Sequence, residues 1–181
     1  PSIVLQLFVI VMIVLVAAGT LFDIAHKKNM RYFFENYKKA KSAATKKLGS
    51  AEVASIVTKT VASDILTTAE LGAGQRRVAH LLGMYGSIVF WISSGIMIFC
   101  YASPDANTPN IFPLMWHIGA IMTCLGGYWF WFFLRVDVSA EANPWHRIVR
   151  ADLFVLSLLA AATLGLIWSY LQSAGVLGWD K

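Results

Sequence analysis

PSIVLQLFVIVMIVLVAAGTLF (1–22) carries no charged residue. It is long enough to supply the roughly 20 apolar residues that cross a hydrocarbon core. It lacks the basic start and small-residue cleavage site of a signal peptide, so it reads as a retained first membrane helix over 1–24. The missing initiator Met fits its removal before Pro1, or a fragment of a longer chain. Working outward, residues 78–101, 111–134 and about 148–171 have the same character, the last with a charged first turn. In lipid each backbone N–H and C=O must be satisfied inside its own segment, which makes every such run a helix. The expected fold is all-α, an integral membrane bundle of four transmembrane helices. A helical basic connection (25–77) joins the first two, a three-helix bundle fills 78–175, and residues 176–181 form an external tail.

Composition agrees. Of 181 residues, 57% are apolar and 14% charged, and the mean hydropathy is +0.62. A soluble domain runs nearer one quarter charged, so a soluble enzyme core and a disordered tail are both disfavoured. The net charge of +5 would suggest nucleic acid in a soluble chain. Its distribution says otherwise. Lys27, Lys28, Arg31, Lys38, Lys39, Lys41, Lys46, Lys47, Lys59, Arg76 and Arg77 lie between the first two spans, and Arg135, Arg147 and Arg150 lie around the third connection. Residues 102–110 hold no cation, and only Lys181 falls on the other side. By the positive-inside rule the basic connections are cytoplasmic and both termini are outside the cell membrane. The partner implied by the charge is a lipid membrane, with no nucleic acid.

Within the long connection, MRYFFENYKKAKSAATKK (30–47) sets Tyr32, Phe33, Phe34 and Tyr37 beside lysines, which suits an interfacial helix at an anionic leaflet. Leu48-Gly49-Ser50 breaks it, Ser50 is placed to cap a second helix over 51–71, and Gly72-Ala73-Gly74 ends that helix. The connection reads either as a solvated basic linker or as a docking platform for a cytoplasmic partner.

Cys100 and Cys124 stand alone, with no CxxC, so this chain builds neither a zinc nor an iron–sulfur site and both thiols read as small packing groups. No phosphate-binding glycine loop, nucleophile elbow or HExxH is present. The histidines carry more. His26 follows helix 1, His80 starts helix 2 and His146 precedes helix 4, all toward the basic face. His117 lies toward the opposite face, about 9 Å into helix 3 at 1.5 Å per residue. An intramembrane imidazole is either a satisfied structural group or a functional one, and it is the usual axial ligand of b-type haem.

Small residues form three stripes: Gly83, Ser87, Ser94 and Gly95 after His80; Gly119, Thr123 and Gly127; and Ser157, Ala161 and Gly165. Each reads as tight helix packing or as a slot for a flat cofactor. Asp152, near the start of helix 4, needs a cation, which Arg150, Arg147 or Arg77 can supply. Its alternative role is proton uptake beside a quinone. The aromatics of 128–133, together with Trp145, Tyr101, Trp116, Trp168 and Tyr170, read mostly as interfacial belts. Trp91 sits in mid-helix on the His80 side, where it is placed to pack on a cofactor.

At this point SDILTTAELGAGQRRVAHLLGMYGSIVFWISSGIMIF (63–99) resembles the second-helix entry of the cytochrome b membrane subunits. These are the gamma subunit of respiratory nitrate reductase and the membrane subunits of heterodisulfide reductase and of the quinone-interacting membrane-bound oxidoreductase. The shared features are a basic pair, a His a few residues later and a Gly-containing apolar helix. RADLFVLSLLAAATLGLIWSYL (150–171) is similar to a later helix of that family. The resemblance implies haem b, one or two, with His80 as the cytoplasmic-side ligand. The family's partner ligand sits in a fifth helix that this chain lacks, and the nitrate reductase branch has a second His where this chain has Phe90. His146 or His26 would then stand opposite His80, and His117 would pair with an outer-side group such as Met97. Asp152 and Arg77 would serve a quinone and its protons.

The function implied is a non-autonomous electron-transfer subunit of a quinone-linked oxidoreductase complex. It would pass electrons between the quinone pool and a cytoplasmic iron–sulfur or flavin partner. The alternative is a haem-free anchor or accessory subunit of such a complex. A transporter would need repeats or broken helices, and a copper monooxygenase clustered Asp and His on one helix; neither pattern is present.

Overall fold

A computed structural model describes residues 2–26, 29–44, 49–72, 74–103, 106–136 and 143–175. The expected tail at 176–181 lies outside them, as do Lys27, Lys28, Lys46 and Lys47. All regular structure among the described residues is helical. The six α-helices are α1 (Ser2–His26), α2 (Asn29–Ala43), α3 (Ser50–Thr60), α4 (Gln75–Cys100), α5 (Ile111–Trp129) and α6 (Asp152–Ser173). Four helical segments are long and apolar enough to cross a membrane: α1, α4, α5 extended to Leu134, and α6. The chain divides into two compact units, residues 1–59 and 60–181.

In the first unit α1 buries none of its side chains, and Phe22 stacks on His26 at its end with ring centroids 5.5 Å apart. α2 stops at Ala43, short of the expected Lys47. α3 does not run unbroken to Leu71. Its α-helical turns end at Thr60, and in the second unit a wider π-helical segment over Val61–Leu66 is followed by a break at Thr67 and Thr68 and a single 3-10 turn at Ala69–Leu71. Thr68 takes the left-handed conformation (φ 48°) and is buried, an unusual combination for a β-branched side chain.

Two side chains of α4 hold this break. Arg77 Nε donates to the Thr67 carbonyl at 2.7 Å, and the Tyr85 hydroxyl donates to the Leu66 carbonyl at 2.6 Å. α4 begins at Gln75, three residues before the expected 78, so Arg76 and Arg77 form its first turn.

The second unit is built around α5, with α4 and α6 antiparallel to it on either side. The α4–α5 seam is made by absent side chains. A Cβ on Gly86 would stand 2.6 Å from the Thr123 backbone N, one on Gly119 2.5 Å from that of Phe90, and one on Gly126 2.5 Å from that of Gly83. Two polar side chains are buried in the same seam and satisfy themselves on their own helices. Ser93 Oγ donates to the Val89 carbonyl at 2.7 Å, and Thr123 Oγ1 to the Gly119 carbonyl at 2.8 Å. Dispersion between closely spaced backbones holds this seam.

The α5–α6 seam is looser. Leu159 lies against Gly127, the Trp116 ring against Gly165, and Tyr128 and Cys124 approach the Thr163 hydroxyl at 2.7 and 3.6 Å. α4 and α6 pack on different sides of α5 and scarcely on each other. α6 begins at Asp152, four residues after the expected 148.

The stripes resolve into packing faces. The α4–α5 contact uses Ala79, Gly86, Phe90 and Ser93 of α4. In α5, Gly119 and Thr123 face α4 while Gly127 meets α6. Ser157 and Ala161 are exposed and take no part in the buried face of α6, which is Asp152, Leu159 and Ala162; only Gly165 reaches a neighbour.

Candidate functional site

Because α4 and α6 diverge across α5, a cleft opens between them. Its volume is about 370 Å³. The floor is Thr123, Gly126, Gly127 and Phe130 of the α5 segment. One wall is Ala79, His80, Gly83, Met84 and Ser87 of α4, and the other Phe154, Val155, Leu158 and Leu159 of α6. Of the glycines on this lining only Gly83 is open, a Cβ there meeting nothing within 4 Å; Gly126 is closed by the α4 backbone and Gly127 by Leu159. The lining is apolar apart from the His80 ring and the hydroxyls of Ser87 and Thr123. Both hydroxyls are already spent on carbonyls of their own helix, Ser87 Oγ on Met84 at 2.9 Å.

His80 is exposed on this wall and makes no hydrogen bond to the described residues. At 1.5 Å per residue it stands about 7.5 Å along α4 from Gln75, near the end of the span. It is the one side chain in the cleft with an uncommitted lone pair and N–H.

The other candidates are elsewhere. His117 is committed: Nδ1 lies 2.6 Å from the Pro113 carbonyl and Nε2 2.8 Å from the Ser169 hydroxyl. That pairing requires an Nδ1–H donor and an Nε2 that accepts from Ser169, leaving no free lone pair for a metal. The ring also packs edge-on against Trp116. His146 is exposed in the connection before α6, edge-on to Trp145, and His26 belongs to the first unit. Arg77 is engaged at the Thr67 carbonyl. Met97 and Trp91 do not line the cleft, although Trp91 is exposed on the same side of α4 as His80.

Asp152 does not pair with Arg150, Arg147 or Arg77. Its partner is Arg135, a residue whose side chain is fully buried. α5 ends in a π-helical turn over Phe130–Leu134, closed by the Arg135 N–H on the Phe130 carbonyl at 2.9 Å. The wider turn advances Arg135 into the interior, where its guanidinium lies 4.4 Å from the centre of the buried Trp131 ring. Nε and Nη2 donate to the two Asp152 oxygens, Nη1 to the carbonyls of Asn143 and Pro144 (2.7 Å), and Nη2 also to that of Arg147. Asp152 Oδ2 further accepts the Val149 N–H at 2.7 Å, closing the turn that starts α6. Of the two roles open to Asp152, this geometry is the ion pair: both carboxylate oxygens are occupied.

No protein-family model, characterised protein or solved structure matches the chain. The likeness of 63–99 and 150–171 to cytochrome b membrane subunits therefore stands on those residues alone.

As a test of fit, the cleft accepts a flat ring but supplies one strong nitrogen ligand. Its other candidate, the Met84 thioether, lies one turn from His80 on the same wall and cannot stand opposite it. Among the described residues no group of three His, Cys, Asp or Glu is placed to hold a metal ion. A haem with both axial ligands from the 60–181 unit does not fit, whereas a ring touching one imidazole does.

Proposed function

We propose that this chain is a membrane electron-transfer subunit of a quinone-linked oxidoreductase complex, and that the cleft beside His80 receives the ring of a quinone. One observation carries the reading: an apolar cleft in a bundle of membrane-length helices, with a single uncommitted imidazole on its wall. The chemistry supplied by the ring is two-electron, two-proton exchange between quinone and quinol. The electrons would come from or return to an iron–sulfur or flavin partner on the basic side, and the protons from the nearby aqueous phase. His80 would donate its N–H to a ring carbonyl, fixing orientation at the end of the cleft closest to water. Gly83 would let the ring lie against backbone, and Phe130, Phe154 and Leu158 would exclude water from it. By the distribution of cations, the basic connections would be cytoplasmic and both termini outside.

The fit supports haem b only as a shared group, which His80 would hold together with a ligand from outside residues 60–181, either His26 or a residue of another subunit. The single imidazole equally favours the second reading, a haem-free anchor that holds a soluble redox complex at the membrane. Three measurements on the purified protein separate these. A b-type band in the reduced-minus-oxidised spectrum, with haem on extraction, establishes the shared haem. Saturable binding of a short-chain quinone that His80→Ala weakens by tenfold or more, with helix content unchanged, establishes the quinone site. Absence of both leaves the anchor.

A further inference from the structure

α2 presents a face with nothing on it. Met30, Phe33, Phe34 and Tyr37 recur at i, i+3, i+4 and i+7, so they share one side of the helix, and all four are exposed, Phe33 by 63%. Arg31, Glu35, Lys38 and Lys39 fall on the other side, where Arg31 and Glu35 pair at 2.8 Å. Lys41, four residues after Tyr37, stands at the C-terminal end of the apolar face, where its stem can lie along it while the ammonium reaches water. The helix carries four cations, Arg31, Lys38, Lys39 and Lys41, against one carboxylate, Glu35.

Two further observations identify what covers the face. Only residues 27 and 28 separate α2 from the end of a 25-residue helix long and apolar enough to cross a membrane. Three Cα steps of 3.8 Å hold the start of α2 within about 11 Å of that helix end, so α2 cannot leave the surface that α1 anchors. The next helix repeats the pattern: Val53, Ile56 and Val57 are exposed at i, i+3 and i+4 of α3, a helix with one acidic and one basic residue, Glu52 and Lys59.

We infer that α2 docks on the membrane surface itself, apolar face in the acyl boundary and lysines on anionic headgroups, with α3 adding apolar contact but no charge preference. Anionic lipid is the committed occupant, because an apolar face with three aromatics and a net excess of cations at a tethered interface matches its chemistry on both sides. This inference does not depend on the quinone reading.

The test uses the full chain with Cys100→Ser and Cys124→Ser, a nitroxide introduced at each position from 30 to 43 in turn, and vesicles of phosphatidylcholine alone or with one third phosphatidylglycerol. Labels at 30, 33, 34 and 37 should be accessible to oxygen and shielded from an aqueous nickel chelate, and labels at 31, 35, 38 and 39 the reverse. The shielded positions should lie deeper in the anionic vesicles. Converting Lys38, Lys39 and Lys41 to Gln should lower the docked-to-undocked ratio in anionic vesicles on the order of a hundredfold, each cation being worth about fivefold at such a surface. Uniform access to nickel in both lipids would overturn the inference. Equal depth in the two lipids would remove the headgroup charge from it, and spin–spin broadening in both would assign the face to a second copy of the chain instead.

Discussion

Arg135 makes five hydrogen bonds from a fully buried guanidinium, and two of its acceptors are the oxygens of Asp152. Such a pair is a clamp, because it binds the end of the α5 segment to the start of α6 and to the carbonyls of 143, 144 and 147 between them. Removing one partner leaves a charge without compensation in a low-dielectric setting, which costs about 3–5 kcal/mol in buried pairs. Asp152→Asn should therefore destabilise the chain strongly, read as a fall in thermal unfolding temperature in detergent or nanodiscs. Arg135→Met combined with Asp152→Leu should recover much of the loss, because no lone charge remains.

If Asp152 instead worked as a proton donor, Asp152→Asn would lower quinone turnover while leaving that temperature unchanged. The carboxylate's need for a cation was legible in the sequence; the identity of the cation was not. Arg147 and Arg150 are nearer in sequence, and the π-helical turn that swings Arg135 inward has no signature in FWFFL (130–134). Trp131 escaped for the same reason: in a run of aromatics read as an interfacial belt, it is the one buried beneath Arg135.

At the scale of helices, the seam between α4 and α5 rests on positions where no side chain fits. Gly126→Ala sets a methyl 2.5 Å from the Gly83 backbone N and 2.6 Å from the Ala79 carbonyl oxygen, so the helices must separate. Overpacking of this kind costs about 1–3 kcal/mol. Gly83→Ala and Gly95→Ala face open space and gain helix propensity of about 1 kcal/mol. Unfolding measurements on the three variants should therefore order them with Gly126→Ala alone destabilised. Gly83→Ala should in addition narrow the cleft wall beside His80 and weaken quinone binding without loss of stability.

The hydrogen bond from Ser169 to His117 joins α5 to α6. Interhelical bonds in membranes average about 0.6 kcal/mol, so a double-mutant cycle of His117→Ala with Ser169→Ala should return a coupling below about 2 kcal/mol.

Hydropathy made the spans legible, since length and apolar content alone decide them. Which face each helix buries was legible only in part. An i, i+4, i+8 pattern drifts about 80° around a helix over its length, because four residues advance 400°. The Gly119, Thr123 and Gly127 stripe consequently splits between two neighbours. Ser157, Ala161 and Gly165 start on the exposed side and reach α5 only at Gly165. The glycines that set the seam, Gly86, Gly119 and Gly126, follow the spacing of contacts across a neighbour instead.

For the whole molecule, the sidedness proposed from charge has a native reporter. If the four apolar segments span in alternation, fourteen of fifteen cations fall on one side, and α4 would run from that side to the other, from Arg76 and Arg77 in its first turn to Cys100 at its last residue. Cys100 is exposed and free, while Cys124 lies mid-span, half-buried and 3.6 Å from the Thr163 hydroxyl. A thiol at the end of a span meets water and reacts as a thiolate, and one within the hydrocarbon region does not. With the basic side in the cytoplasm, a membrane-impermeant maleimide added to intact cells should label Cys100, and Cys100→Ser should abolish the signal, with Cys124→Ser leaving it in place. Labelling of Cys100 only after permeabilisation would invert the topology and put His80 at the outer face. The cleft would then open away from any cytoplasmic iron–sulfur or flavin partner, so the electron-transfer proposal requires the outside label as much as it requires His80.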